Sequence, residues 1–263
     1  MTEHTPIDRA HAAMEAAPGD DAVRLRFYER LADAELVLLL AKDADGDNVE
    51  PELFEVQGGR FVLAFDSEQR LADFVGRTAP YAALSGRALA GMLAGQGIGL
   101  GLNLEVAPSS ILIPDAAVDW LAETLGRRPA EVAEHPEDIA RPEGVPDLLL
   151  QALDQKLVSA AGLAPFAYLA SVTYRGGARG HLLAFVDAAE GSEGALAQAV
   201  GEALTFSGLE AGALDVGFFA ASDPVSATLA RHGLRIDLPE PEVVQTLAPG
   251  APGMDPAKPP KLR

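Results

Sequence analysis

Three features have the residue types and spacing for chemistry. Asp43-Ala44-Asp45-Gly46-Asp47-Asn48 sets carboxylates at alternate positions, as the opening of a calcium loop does, because oxygen ligands at that spacing suit a hard cation. The sixth position of such a loop would be Asn48 instead of Gly, and the twelfth Phe54 instead of Glu, so the stretch reads as a solvated hairpin loop. Gly97-Ile98-Gly99-Leu100-Gly101 has the spacing of a dinucleotide fingerprint. Phosphate binding needs those glycines to open onto a helix N-terminus, where free N–H groups and the dipole meet the anion. Here they follow a helical pattern and alternate with large apolar residues, which puts them on one face of a strand that something approaches closely. The five histidines, His4, His11, His135, His181 and His232, form no pair at helical ligand spacing and no His-Glu-x-x-His. His181 begins a strand and His232 ends a helix, where an imidazolium favours the dipole.

No Walker A and no Gly-x-Ser-x-Gly pattern occurs. With no cysteine there is no disulfide, thiolate nucleophile or cysteine metal site. Acidic pairs such as Asp20-Asp21 lie on surface-type segments, away from apolar runs that could raise a pKa. No catalytic, cofactor-binding or metal-binding residue is therefore assigned, no cofactor is expected, and only a convergence of distant Ser, His and Asp in space could supply a triad. Tyr28, Trp120 and Phe218-Phe219 read first as core packing, with interfaces as the alternative.

The elements that would have to position any site are well marked. Leu36 to Ala41 is a buried-strand run. Gly58-Gly59 is a hairpin turn into Phe61, Leu63 and Phe65 on one strand face. Asp66 or Ser67 caps a helix with Leu71, Phe74 and Val75 on a stripe, and Ser85 caps another with Leu89, Met92 and Leu93 inward. Tyr81-Ala82-Ala83-Leu84 is a short strand between these two helices; strands follow at Ile98 and Ser110, then a helix from Pro114 with Trp120 and Leu121. A second set runs through the hairpin Phe166–Tyr174 and His181–Asp187, a helix from Ser192, a strand at Leu214, a helix at Asp223-Pro224 and a strand at Leu234. Each set reads hairpin, helix, strand, helix, strand, and each hairpin ends in Leu-Ala-Phe, so the two are expected to be structural copies.

The fold class is α+β with two mixed-sheet domains. The expected division is a flexible N-terminus at 1–20, a domain at 21–125, a linker at 126–146 broken by Pro129, Pro136, Pro142 and Pro146, a domain at 147–238, and a flexible proline-rich tail at 239–263. The net charge is −19, with 9 Lys/Arg against 21 Asp/Glu over residues 1–126 and 5 against 11 over residues 147–240. Neither half offers a basic face to a phosphate backbone or an anionic membrane, so neither nucleic acid nor membrane is an expected partner. There is no apolar run of about 20 residues and no basic-then-apolar leader, which makes the cytoplasm the default compartment.

The chain resembles the enhanced serine sensitivity protein family, SseB, with its N-terminal and C-terminal domains in tandem. The first resemblance, from about Phe27 to Ile113, rests on Phe27-Tyr28-Glu29-Arg30-Leu31 with Leu36 to Leu40, on Ala64-Phe65-Asp66-Ser67-Glu68, and on Gly99-Leu100-Gly101-Leu102-Asn103. The second rests on Ala167-Tyr168-Leu169, His181 to Asp187, and Asp215-Val216. It implies an intracellular bacterial protein linked by name to serine tolerance, and brings no catalytic residues. The expected function is a non-enzymatic interaction or regulatory module with a protein partner; the alternative is a binder or enzyme for amino-acid-related small molecules with a pocket between the domains.

Overall fold

The computed structural model describes residues 4–46, 48–56, 58–127, 136–209 and 214–240. Two mixed sheets, each backed by helices, confirm the α+β class.

The first sheet contains β1 (Glu35–Leu39), β2 (Leu53–Val56), β3 (Gly59–Phe65), β4 (Tyr81–Ser85), β5 (Ile98–Leu102) and β6 (Ile111–Ile113). Its order is β4-β1-β3-β5-β6, with β2 beside β3. Gly58, at φ 82°, makes the turn that carries β2 into β3. The inward residues Leu36, Leu38, Val62, Ala64, Leu100 and Leu102 pack on helices α1 (Pro6–Ala16), α2 (Asp21–Asp33), α4 (Gly86–Leu93) and α5 (Asp115–Gly126). The outward residues Val37, Leu39, Leu63 and Phe65 pack on α3 (Glu68–Val75) alone. The caps sit where the sequence put them: Ser67 Oγ accepts from the Arg70 amide at 3.3 Å and Ser85 Oγ from that of Ala88 at 3.2 Å.

The second sheet contains β7 (Pro136–Ala140), β8 (Phe166–Tyr174), β9 (Arg179–Val186), β10 (Asp215–Phe219) and β11 (Leu234–Asp237), in the order β10-β9-β8-β11 with β7 beside β8. Its inward side chains Leu169, Leu183 and Phe185 meet α6 (Asp147–Leu157) and α7 (Glu193–Phe206); Tyr168, Leu182 and Ala184 face outward to α8 (Pro224–His232). The helices of the two halves meet in the middle. Phe206 of α7 lies in the core of the first half, and Trp120 of α5 packs edge-on against it at 6.4 Å.

Two expectations about the ends of the first half change. Of the segment at 1–20, residues 1–3 lie outside the described residues and the rest is not loose: Thr5 caps α1, and Ile7, Asp8 and His11 are buried. Its anchors lie about sixty residues away in sequence, where no local pattern points to them. Within 126–146, residues Pro136–Ala140 form β7, paired antiparallel with β8. Pro136 opens this edge strand, where a missing N–H costs no ladder bond. Residues 128–135 and the tail from 241 on lie outside the described residues.

The expectation of structural copies fails in a specific way. The strand runs β4-β1-β3-β5 and β11-β8-β9-β10 have the same neighbour directions, antiparallel, antiparallel and parallel. The last two strands are exchanged in chain order, however. After the hairpin, the first half fills the edge beyond β1 and then the place beside β3; the second half fills the place beside β9 first. Both destinations run parallel to the hairpin's last strand, so element order alone leaves the side undecided. The shared Leu-Ala-Phe is also not equivalent, because Leu63 and Phe65 point outward whereas Leu183 and Phe185 point inward.

The glycine stripe of β5 lies on the outward face. A Cβ on Gly101 would stand 2.6 Å from Leu63 Cδ2 and 2.9 Å from Leu104 Cδ1; one on Gly99 would stand 2.6 Å from the Ile113 carbonyl oxygen. Leu104 folds into the space that Gly101 leaves. Gly101→Leu is expected to destabilise by about 1–3 kcal/mol, since both neighbours are ends of side chains that can shift at a cost. An unchanged urea midpoint would refute this packing.

Candidate functional site

Three places gather functional side chains, and two of them are closed. The first is a buried clasp between α1, the start of α3 and the loop after β5. Arg70 binds Asp8 Oδ2 at 2.5 Å and Asp66 Oδ1 at 2.7 Å. The Ser109 hydroxyl donates to Asp8 Oδ1 at 2.5 Å, Asn103 Nδ2 donates to Ser109 Oγ at 2.9 Å, and the Asp66 amide donates to Asn103 Oδ1 at 3.0 Å. The Thr5 hydroxyl closes the ring on Asp66 Oδ2 at 2.6 Å. Burial alone would raise the Asp8 carboxyl, but hydrogen bonds from Arg70, Ser109 and the Thr5 amide outweigh it and hold the group well below the usual carboxylate range. A carboxylate so held cannot take a proton near neutrality. Ser109 is fully buried, so no substrate reaches its hydroxyl.

The second place lies between the halves. Lys156 of α6 reaches Asp33 of α2 at 2.8 Å and Glu202 of α7 at 2.9 Å. Arg87 of α4 grips Glu202 at 2.6 Å and Asp33 at 3.2 Å. Gln198 Nε2 donates to the Leu125 carbonyl at 2.9 Å, satisfying one of the free acceptors at the end of α5. Glu29 is buried nearby; burial raises its carboxyl, and the positive charge of Lys156 opposes this. The cavity at this seam, next to Glu29 and Phe206, measures about 10 Å³. That is room for about one water and excludes an amino acid. Among the described residues no buried side-chain polar atom lacks a partner.

The third place is open. Helix α3 has 8 residues and so spans about 12 Å, whereas the 7 residues of β3 extend over about 23 Å. The outward face is thus covered at one end only. At the other end lies a groove of about 460 Å³, with Phe54 and Val56 of β2, Leu63, Phe74, Leu104 and Leu112 among its lining. Glu105 and Ser110 are its polar rim, and no Lys or Arg lines it. Leu104, folded over Gly101, shapes its floor.

The residues singled out in the sequence do not converge. Asp45 and Asn48 close a tight turn through paired backbone bonds of 3.1 and 3.0 Å, with Gly46 at φ 59°; Asp47 lies outside the described residues. A calcium titration by calorimetry is expected to give no binding heat at micromolar metal, because the loop has no closing carboxylate. His11 packs edge-on against Phe27 at 5.8 Å, and Phe27, Tyr28 and Trp120 continue that aromatic row to α5. Phe218 stacks on Phe185 at 5.7 Å. His181 Nε2 lies 2.9 Å from the Glu143 carbonyl, His232 sits in the last turn of α8, and His135 is outside the described residues. Among the described residues no histidine bonds a serine or a carboxylate, so no Ser-His-Asp triad forms there. Sequence reading missed the clasp and the groove. For the clasp, the one available signal was Asp66 and Asn103 standing at the ends of adjacent apolar runs.

Among the described residues no helix is long and apolar enough to cross a membrane. Residues 10–120 match the family model for the SseB protein N-terminal domain. The match contains the groove and all of the clasp except Thr5 and Asp8. No curated protein and no solved structure matches the chain.

Proposed function

We propose, from the membership of residues 10–120 in the SseB protein N-terminal domain family, that this chain is a non-enzymatic, cytoplasmic protein-interaction module. Its second half is taken as the SseB C-terminal domain, and its link to serine sensitivity in a bacterial cell rests on the family resemblance alone. The observation that carries the reading is the contrast between sites. The cluster around Asp8 is buried, the one around Lys156 and Glu202 is buried except at Asp33 and Arg87, and both are bonded to their own partners, while the large concavity is an apolar sheet face with one carboxylate at its rim. Catalysis needs polar groups free to act on a substrate, whereas recognition of a protein needs exposed apolar area. Neither nucleic acid nor an anionic membrane suits a chain of net charge −19.

The test compares cross-linked partners of the wild-type chain and Leu112→Asp, expressed in the same cells. Loss of a defined partner on substitution supports the reading; an unchanged partner set refutes the groove as the working surface. A thermal-shift screen over amino acids addresses the alternative of a small-molecule binder. An amino acid at about 100 times its Kd would raise stability by about 2.7 kcal/mol, and such a shift would overturn an interaction-only role.

A further inference from the structure

We infer that the outward groove of the first sheet takes an amphipathic helix from a partner protein, laid beside α3 with an apolar stripe down and basic residues at its flanks. The inference deepens the interaction reading and rests on it.

The shape of the groove selects the occupant. Its floor is the face of a sheet, built from side chains of β2 and β3, from Leu112 of β6, and from Leu104, which folds over Gly101. Strand N–H and C=O groups lie in the plane of a sheet, not on its face, and those of the central strands β3 and β5 are spent on neighbours at both sides. An extended segment laid on this face would bury its own backbone groups against side chains that cannot bond them. A helix brings its backbone already paired and presents side chains at i, i+3, i+4 and i+7. Beside α3 it would complete a helical layer that stops about halfway along β3.

The charge of the site selects the flanks. Glu105 is the one charged residue of the lining, no cation stands among the lining residues, and the chain as a whole carries −19. A basic helix is drawn to such a surface and an acidic one repelled. The same sign argues against a second copy of this chain as the occupant, since two bodies of −19 repel one another.

The probes are four fluorescein-labelled synthetic peptides of about five turns, read by anisotropy against the full-length chain. One has leucines along a single helical stripe and lysines elsewhere. The second keeps the leucines and replaces lysine by glutamate. The third keeps the lysines and replaces leucine by serine. The fourth has the composition of the first with prolines that forbid a helix. The first peptide should bind, at least tenfold tighter than each of the others, and more weakly as salt is raised. Leu112→Asp and Val56→Asp should each cost at least tenfold while thermal midpoints stay close to wild type. Equal binding of the serine peptide would reduce the effect to bulk charge, and equal binding of the proline peptide would make the occupant extended; either overturns the inference. Binding unchanged by both groove substitutions overturns it as well. A dimer in sedimentation that Leu112→Asp dissolves would make the occupant a second copy. If no peptide binds while Leu112→Asp still removes a partner from the cellular cross-links, the helix inference falls and the interaction module stands.

Discussion

Gly86→Ala is expected to destabilise the protein by more than about 3 kcal/mol, above the usual 1–3 kcal/mol of an overpacked core. Gly86 opens α4 where it crosses α2, and its amide donates to the Ala34 carbonyl at 2.9 Å. A Cβ there would stand 1.8 Å from the carbonyl oxygen of Leu31, 2.8 Å from that residue's carbonyl carbon and 3.3 Å from Ala32 Cα. These are backbone atoms, so no side chain can swing away. Relief requires α4 to lift from α2, and α2 carries Phe27 and Leu31 into the core. Gly91 is the internal control. It lies in the same helix, exposed, with nothing within 4 Å of its Cβ position. Gly91→Ala should therefore stabilise by about 0.5–1 kcal/mol through helix propensity. Urea midpoints of the two variants should move in opposite directions. A Gly86→Ala midpoint equal to wild type would mean the helices do not cross this closely.

Asp8→Ala should cost about 3–5 kcal/mol, the range for removing one partner of a buried ion pair. The substitution leaves Arg70, nearly buried, short of one carboxylate and Ser109 short of its acceptor. Replacing both partners by apolar residues, Asp8→Leu with Arg70→Met, should recover part of the loss, because no charge is then stranded. The clasp also sets the acid limb of stability. The Asp8 carboxyl is depressed in the folded protein, so its contribution is fully present above the unfolded value of about 3.9 and is lost as pH falls below it. Glu202 is depressed too: burial raises it, but Arg87 and Lys156 outweigh burial, and it adds to the same limb. Glu29 works against them. Its carboxyl is raised, chiefly by burial, so its contribution declines as pH rises from the unfolded value of about 4.3. Asp8→Asn should flatten the rise of Tm between about pH 2 and pH 5. An acid limb as steep as wild type's would show that Asp8 is not held ionised.

Much of this architecture was legible residue by residue. Ser67 and Ser85 announce their helices because a cap bonds an amide three residues on, within reach of a local pattern. Gly58 announces its hairpin because a left-handed turn favours glycine. The side on which each crossover lands was not legible, since both landing places are parallel and the choice lies in tertiary packing. The order of α1 was hidden for a related reason. Thr5 and Asp8 look like solvent-facing polar residues until Arg70 and Asp66 are brought to them across sixty residues of chain. The groove is legible only as a deficit, the short α3 over a longer strand, and a deficit becomes visible once both partners have been placed.

Phe206 belongs to a helix of the second half and sits in the core of the first. A cooperative unit is defined by shared burial, and here a side chain carried by one half is buried in the core of the other. Melting the second sheet would strip α7 from the first and open an apolar hole beside Trp120, so an isolated first half would begin its own unfolding already in debt. The two sheets should accordingly give a single calorimetric transition, with van't Hoff and calorimetric enthalpies equal. A destabilising change in either sheet would then hasten globally limited hydrogen exchange in the other by the same free energy.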